Sequence, residues 1–335
     1  MGEISLQTKF LNRIKEMIPP THSFVDEVAE LLGISIDSVY RRVRGETSLT
    51  IEEIVLLSRN YRVPLEMLNE ADQGSVMFKY SKIENIEQYK LYFQFLLKSL
   101  QDISRMKNTQ LIYAAVDIPI SHHLGYEALA AFKSFYWLRE IVNESSIKEI
   151  KFDFSFHTDE MKEICKQIYS IYQQIPCIEI WTSITTNSTF KQIEFYLESG
   201  LFKKFDDAKS VIDDFENMIQ TIEKQAEESN KLLTKTKISQ FENNYILYQS
   251  EIEIGNNCVL VGKDDTKVAF MGFNTFNIMS TSNQNYCLET ERWLQNLMRK
   301  SQLISGVSQK QRYRFFKEIY EQIDKLRQML TSQKF

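Results

Sequence analysis

Glycine and proline are scarce in this chain of 335 residues, numbering 10 and 5, against ordinary shares of roughly 7% and 5%. That shortage excludes low-complexity, collagen-like and linker-dominated architectures and favours a helix-rich globular chain. Cysteine is rarer still. Cys165, Cys177, Cys258 and Cys287 lie far apart with no CxxC pair, which removes a disulfide framework and a thiolate zinc site and leaves buried thiols. Histidine is limited to His22, His122, His123 and His157, and none falls in HExxH or in zinc-finger spacing, so no metal site is expected. The adjacent His122 and His123 precede Leu124-Gly125, and neighbouring side chains point apart on any regular element, so helix entry or surface is the expected setting. GxGxxG, Walker and GxSxG motifs are missing as well, so no cofactor, no catalytic residue and no enzymatic activity is expected.

No window approaches the roughly 18 consecutive apolar residues of a membrane span, and MGEISLQTKFLNRIKEM has no signal-peptide apolar core. A cytoplasmic protein with no membrane partner is the expectation. Net positive charge is also lacking: 40 Lys and Arg face 45 Asp and Glu, a formal −5. Any nucleic-acid contact must therefore come from local segregation of charge. What is present is a globular balance, 43% hydrophobic and 25% charged, in a chain long enough for two or three domains.

Residues 1 to about 70 break into short helical patterns. Leu6, Phe10, Ile14 and Met17 recur at three or four residues, and Pro19-Pro20 ends that helix. Thr21-His22-Ser23 offers an N-cap to a second helix with Asp26 and Glu27 in its first turn, and Gly33 follows Leu32 as a residue able to take positive φ. Ser35 caps a third helix from Ile36 to about Arg44, ended near Gly45; Thr50 opens a fourth reaching Asn60, and Pro64 a fifth through Leu68. At 100° per residue Ile36, Val39, Tyr40 and Val43 share one side of the third helix, with Asp37, Ser38 and Arg41 opposite, flanked by Arg42 and Arg44. Residues 1–75 hold 8 Lys or Arg and 12 Asp or Glu, yet three of the eight cations fall within positions 41 to 44. Concentrated charge of that kind is what phosphate and base contact require, although an Asp37–Arg41 pair on a solvated face would look the same.

Residues 25 to 69, VDEVAELLGISIDSVYRRVRGETSLTIEEIVLLSRNYRVPLEMLN, resemble the Cro/C1-type helix-turn-helix family. Ala29, Gly33, Ile34 and Val39 fall in order, and the two trailing helices match as well. One departure stands out: nine residues after the turn glycine the family often has an apolar residue, and here Arg42 stands, with Val43 next. The resemblance implies double-stranded DNA as partner, with base reading carried over to Ile36, Asp37 and Arg41 and phosphate contact to Ser38 and Arg44. With the capping Ser35 and the clustered Arg42 these seven residues are the candidate DNA-binding set, and Arg41, able to bridge guanine O6 and N7, leads it.

Residues 71–84 lose the helical pattern and read as a linker to a larger domain over 85–335. Beyond residue 75 there are 32 basic and 33 acidic residues, so this part has no electrostatic appetite for DNA. Helices are expected at 85–105, 124–143, 159–174, 188–200, 205–234, 285–303 and 308–331. Strands are expected at Leu111–Val116, at the alternating Ile150, Phe152, Phe154 and Phe156, and at Cys177–Trp181. Closely spaced strands follow at Tyr245–Ile252, Cys258–Gly262, Lys267–Phe273 and Phe276–Ser280, with hairpin chemistry in Gly255-Asn256-Asn257 and Lys263-Asp264-Asp265. A faint likeness of NCVLVGKDDTKVAFMGFNTFN to phospholipase D-like domains lacks the His-x-Lys signature and implies no hydrolase. The fold class is thus α+β multidomain: an all-α helix-turn-helix domain over 1–70, then a mixed α/β domain with antiparallel strands near its carboxy-terminal part and terminal helices.

The expected function is a repressor-like, sequence-specific transcriptional regulator whose larger domain senses a small-molecule effector or mediates assembly. An interaction module built on a helix-turn-helix, or an enzyme fused to one, are the alternatives. The 22 Phe, 16 Tyr and 3 Trp suit either a ligand pocket or an ordinary core. A homodimer is expected because one helix-turn-helix contacts only a few base pairs. Two apolar seams could join the copies: Phe316, Ile319, Ile323, Leu326 and Leu330, or Val211, Phe215, Met218 and Ile222. Each could equally face its own domain's core.

Overall fold

A computed structural model describes residues 5–18, 22–61, 63, 75–106, 109–232, 244–262, 267–274 and 277–332. The chain divides into two compact units, Met1–Met77 and Phe78–Phe335. In the first, α1 (Leu6–Met17), α2 (Phe24–Leu32), α3 (Ile36–Val43) and α4 (Ile51–Tyr61) surround one core of Phe10, Leu11, Ile14, Ile18, Val28, Ala29, Val39, Leu49, Leu57 and Val63. The face of α1 is turned from the expected one: Phe10 and Ile14 are buried, but Leu6 and Met17 are exposed and Leu11 and Ile18 take their place. Ser23 and Ser35 cap α2 and α3 as the sequence suggests, and Gly33 ends α2 with φ 62° and ψ 35°, a left-handed conformation that an L side chain resists. The expected fifth helix, 64–68, lies outside the described residues.

The second unit is built on one eight-stranded sheet. Its strands are β1 (Lys79–Tyr80), β2 (Gln110–Ala115), β3 (Cys177–Trp181), β4 (Tyr245–Gln249), β5 (Cys258–Gly262), β6 (Val268–Phe273), β7 (Asn277–Thr281) and β8 (Gln302–Leu303), in the order β1-β7-β6-β5-β2-β3-β4-β8. β2, β3 and β4 run parallel; β5, β6, β7 and β1 add an antiparallel run on one side, and β8 an antiparallel edge on the other. Period-2 alternation divides the strands between two cores. Leu111, Ala115, Cys177, Trp181, Tyr245 and Leu247 face the large core, while Ala114, Ile180, Cys258 and Leu260 face a smaller one. The small core is covered by α11 (Gln284–Lys300), through Cys287, Leu294 and Leu297. The large core is covered by α5 (Ile86–Arg105), α7 (Glu127–Tyr136), α8 (Asp159–Tyr172), α9 (Asn187–Glu198), α10 (Phe205–Glu228) and α12 (Gln309–Ser332).

Besides the end of the helix expected over 285–303, where Gln302 and Leu303 form β8 instead, four expectations change. The supposed linker 71–84 is partly sheet: 71–74 lie outside the described residues, but Lys79 and Tyr80 pair with Ser280 and Met279, and the Phe78 ring meets Tyr286 at 5.2 Å. The alternating run 150–156 is no strand. Phe152 makes a single bridge to Phe202, and Asp153 Oδ1 accepts from Ser155 N (2.8 Å) to start a 3-10 turn over Phe154–Phe156, so side-chain capping wins over the ladder. The helix expected over 124–143 starts only at Glu127, as α7, and passes into a π-turn at Trp137–Ile141, with a short separate α6 (Ile120–His123) ahead of it. Gly125 lies in the break, where a Cβ would come within 2.6 Å of the Tyr169 ring. Finally, β4 and β5 do not pair across Gly255-Asn256-Asn257, because β2 and β3 lie between them; the other expected turn, 263–265, lies outside the described residues.

Both proposed dimer seams are used within the unit. Phe316, Ile319, Ile323, Leu326 and Leu330 of α12, and Val211, Phe215, Met218 and Ile222 of α10, are all buried in the large core. The heptad-like spacing therefore records helix packing inside one chain.

Candidate nucleic-acid interface

The exposed face of α3 is assembled from positions 36, 37, 40, 41 and 44, which at 100° per residue span less than half of the helix circumference. Ile36 and Tyr40 are 49% and 47% exposed, so the apolar side they were expected to share with Val39 and Val43 is split; on α3 only Val39 and Val43 face the core. The residues at 38 and 42 fall between the two faces. Ser38 is half-buried, its backbone N–H is capped by Ser35 Oγ at 3.3 Å, and the two hydroxyls lie 2.8 Å apart. Both serines thus hold the helix start, and Ser35 remains exposed.

Arg42, counted above among the DNA-binding residues, is committed to the fold. Its Nε and Nη2 donate to Glu53 Oε2 (3.1 Å) and Oε1 (2.8 Å), and Nη1 donates to Ser38 O at 3.2 Å. The two side chains are 14% and 15% exposed. Glu53 also closes a capping box on α4: Thr50 N donates to Glu53 Oε2 (3.0 Å) and Glu53 N to Thr50 Oγ1 (3.2 Å). The charge that departs from the family's apolar position is thus matched by a carboxylate at the start of the next helix. Gln7 of α1 fixes the turn beyond α3, its Nε2 donating to Arg42 O (2.7 Å) and Thr47 O (2.8 Å) and its Oε1 accepting from Leu49 N (2.8 Å). Neither Gln7 nor Glu53 was singled out from sequence; Thr50-x-x-Glu53 is the signal that could have found the second.

Arg41 and Arg44 remain on the solvent face, their side chains 59% and 52% exposed, and both are drawn toward Glu46, at 3.7 and 2.6 Å. The Arg44 hydrogen bond holds the Glu46 carboxyl below its ordinary range, and the same bond raises the Arg44 guanidinium. With Asp37 also exposed, the face carries two cations and two anions around two apolar side chains. Exposed pairs of this kind are weak and exchange easily for phosphate or base partners.

The second unit buries several ionisable groups. His122 and His123 on α6, expected at helix entry or surface, are 2% and 0% exposed and point apart. His123 Nε2 meets Thr189 Oγ1 at 3.1 Å, and His122 Nε2 meets Glu179 Oε1 at 2.8 Å. Glu179, on β3 and 0% exposed, also accepts from Tyr172 Oη (2.6 Å), Trp181 Nε1 (2.8 Å) and Tyr245 Oη (3.1 Å). Burial would raise its carboxyl, but His122, Lys231 and Tyr172 together hold it down at about 2. Lys231 Nζ lies 3.6 Å from the centre of the Tyr172 ring and donates to Tyr172 O and Ile175 O, both at 3.0 Å. Cys165 Sγ stands 3.9 Å from His157 Nε2, the pairing a thiol nucleophile needs, but burial pushes the thiol up to about 12 and the imidazole down to about 4. The aromatic residues mostly pack on one another: Phe132 stacks on Phe202 at 5.5 Å and meets Tyr196 edge-on at 5.1 Å. A narrow cleft of about 30 Å³ lies beside Tyr113, Asp117, His123 and Trp137. Among the described residues no group of three or more His, Cys, Asp or Glu could hold a metal ion, and no helix is long and apolar enough to cross a membrane.

No curated protein and no solved structure matches the chain. Residues 25–68 match the helix-turn-helix family model, and they hold α2 but for its first residue, the left-handed Gly33 and the solvent-facing α3 described above. The amino-terminal unit is a Cro/C1-type helix-turn-helix, the domain of a DNA-binding regulator.

Proposed function

We propose that the protein is a sequence-specific transcriptional regulator in which the exposed face of α3 enters the major groove of operator DNA. In this reading the Phe78–Phe335 unit is non-catalytic and either joins a second copy or receives a small-molecule effector. The observation that carries it is the placement of Arg41 and Arg44 on a solvent face of the third helix, inside the matched region and outside the core. The inert setting of the Cys165–His157 pair supports a non-catalytic second unit. With both α10 and α12 seams occupied, a dimer has to use another surface.

Selection from random duplexes followed by binding assays tests the reading. Arg41→Ala is expected to cost about 1–3 kcal/mol and relax specificity at one base pair, whereas Arg44→Ala weakens all sequences alike. Enrichment of no motif, together with no duplex binding at low salt, defeats the proposal. Duplex binding that Arg41→Ala leaves unchanged would favour the interaction-module alternative. Light scattering decides assembly: a monomer at tens of micromolar with full operator affinity removes the homodimer.

A further inference from the structure

The recognition face is unusual in where its apolar side chains lie. Ile36 and Tyr40, one helical turn apart, are half exposed, although Val39 and Val43 on the same short helix are taken into the core. Folding does not require them there, since neither joins the amino-terminal core cluster. The cations beside them are balanced: Arg41 and Arg44 share Glu46, Asp37 adds a second carboxylate, and Arg42 is held by Glu53. Beside its two exchangeable cations, such a face therefore offers apolar contact as a second source of affinity. Among the groups that base pairs present in the major groove, the apolar one is the thymine 5-methyl.

Resting on the proposed DNA binding, we infer that Ile36 and Tyr40 are specificity-determining residues that read thymine methyl groups, so each half-site carries thymine opposite the start and middle of α3. The flanking Arg41 and Arg44 favour this occupant over an apolar protein surface, because desolvating two guanidiniums against a protein needs matching carboxylates, whereas the groove supplies phosphates and guanine edges. Asp37 fits the same surface by accepting from cytosine N4.

The test uses the full-length protein and the duplex enriched from a random pool. Each thymine is replaced singly by deoxyuridine, which removes the methyl and leaves base pairing unchanged. Burying one methyl is worth about 0.8 kcal/mol, so affinity should fall about fourfold at each contacted thymine and stay unchanged elsewhere. In Ile36→Ala or Tyr40→Ala the penalty at the matching position should vanish. Both side chains are outside the core, and an unchanged thermal melt verifies folding. An enriched motif without thymine, deoxyuridine substitution without effect at every position, or penalties that persist unchanged in both variants overturns the inference while leaving DNA binding intact. Failure of the wild type to bind any duplex overturns the inference and the proposed function together.

Discussion

Replacing Glu179 by Gln should destabilise the larger unit by roughly 3 to 5 kcal/mol, as expected when one partner of a buried charge network is removed. Four nitrogen and oxygen groups, with the Cys177 thiol beside them, converge on the two carboxylate oxygens, and glutamine offers one oxygen and one NH2. If the amide turns its oxygen to Trp181 and Tyr245, its NH2 meets His122 and Tyr172, where two former donors must accept; the opposite flip sets it against Trp181, whose indole can only donate. Lys231, fully buried, also loses a countercharge. Proton linkage leads to a similar figure. The carboxyl is held at about 2 against an ordinary 4.5, a gap of order 3 kcal/mol at 1.36 kcal/mol per unit. Because the folded value is the lower one, this stabilisation is complete above about pH 4.5 and is lost as pH falls toward 2. Urea unfolding followed by tryptophan fluorescence is the assay, since Trp137, Trp181 and Trp293 all lie in this unit and residues 1–77 contain none. The deficit of Glu179→Gln should be largest at pH 7 and shrink below pH 4.5, where the native carboxyl is itself becoming protonated. A variant within 1 kcal/mol of wild type at pH 7, or a deficit independent of pH, refutes the assignment.

Other residues allow similar separation. Arg42→Ala should speed amide exchange across α3 and α4 and cost about 2 kcal/mol, because Glu53 is left without its charged partner; with the domain still folded, duplex affinity should change less than twofold, and lost affinity with native exchange would mean that Arg42 touches DNA. His157→Phe should flatten the acid side of the stability curve. The folded imidazole sits at about 4 against 6.5, so wild type loses up to about 3 kcal/mol as pH falls between those values; equal slopes in wild type and variant would contradict this. Ile323→Glu, at 1% exposure between α12 and the large core, should leave the larger unit misfolded, while Ile323→Val costs about 1 kcal/mol. A well-folded monomer from Ile323→Glu would return α12 to the list of intermolecular seams.

Local signals were enough to read the first four amino-terminal helices from sequence. Ser23, Gly33, Ser35 and the Thr50-x-x-Glu53 box act over three or four residues, and capping and turn chemistry of that range is written in the chain itself. The same holds for most helices and strands of the larger unit, where periods of 3.6 and 2 survive any topology. Seven candidate contacts were named from one helix, yet the side on which each falls was decided by packing. Ile36 and Tyr40 face solvent, and Arg42 turns to Glu53 eleven residues away; one helix position separates the solvent-facing Arg41 from a structural ion pair.

What sequence alone determined, then, is the fold class, the helix-turn-helix and most of the helices and strands. Tertiary structure decided the rest: that β4 joins β3 rather than β5, that two heptad-like seams close on their own core, and that Glu179, unremarkable within CIEIW, collects donors from α6, α8 and β4 as well as from its own strand. Hydrophobic periodicity records that a face is buried but not against what, and a buried carboxylate is tolerable only where distant segments bring enough donors to replace its water.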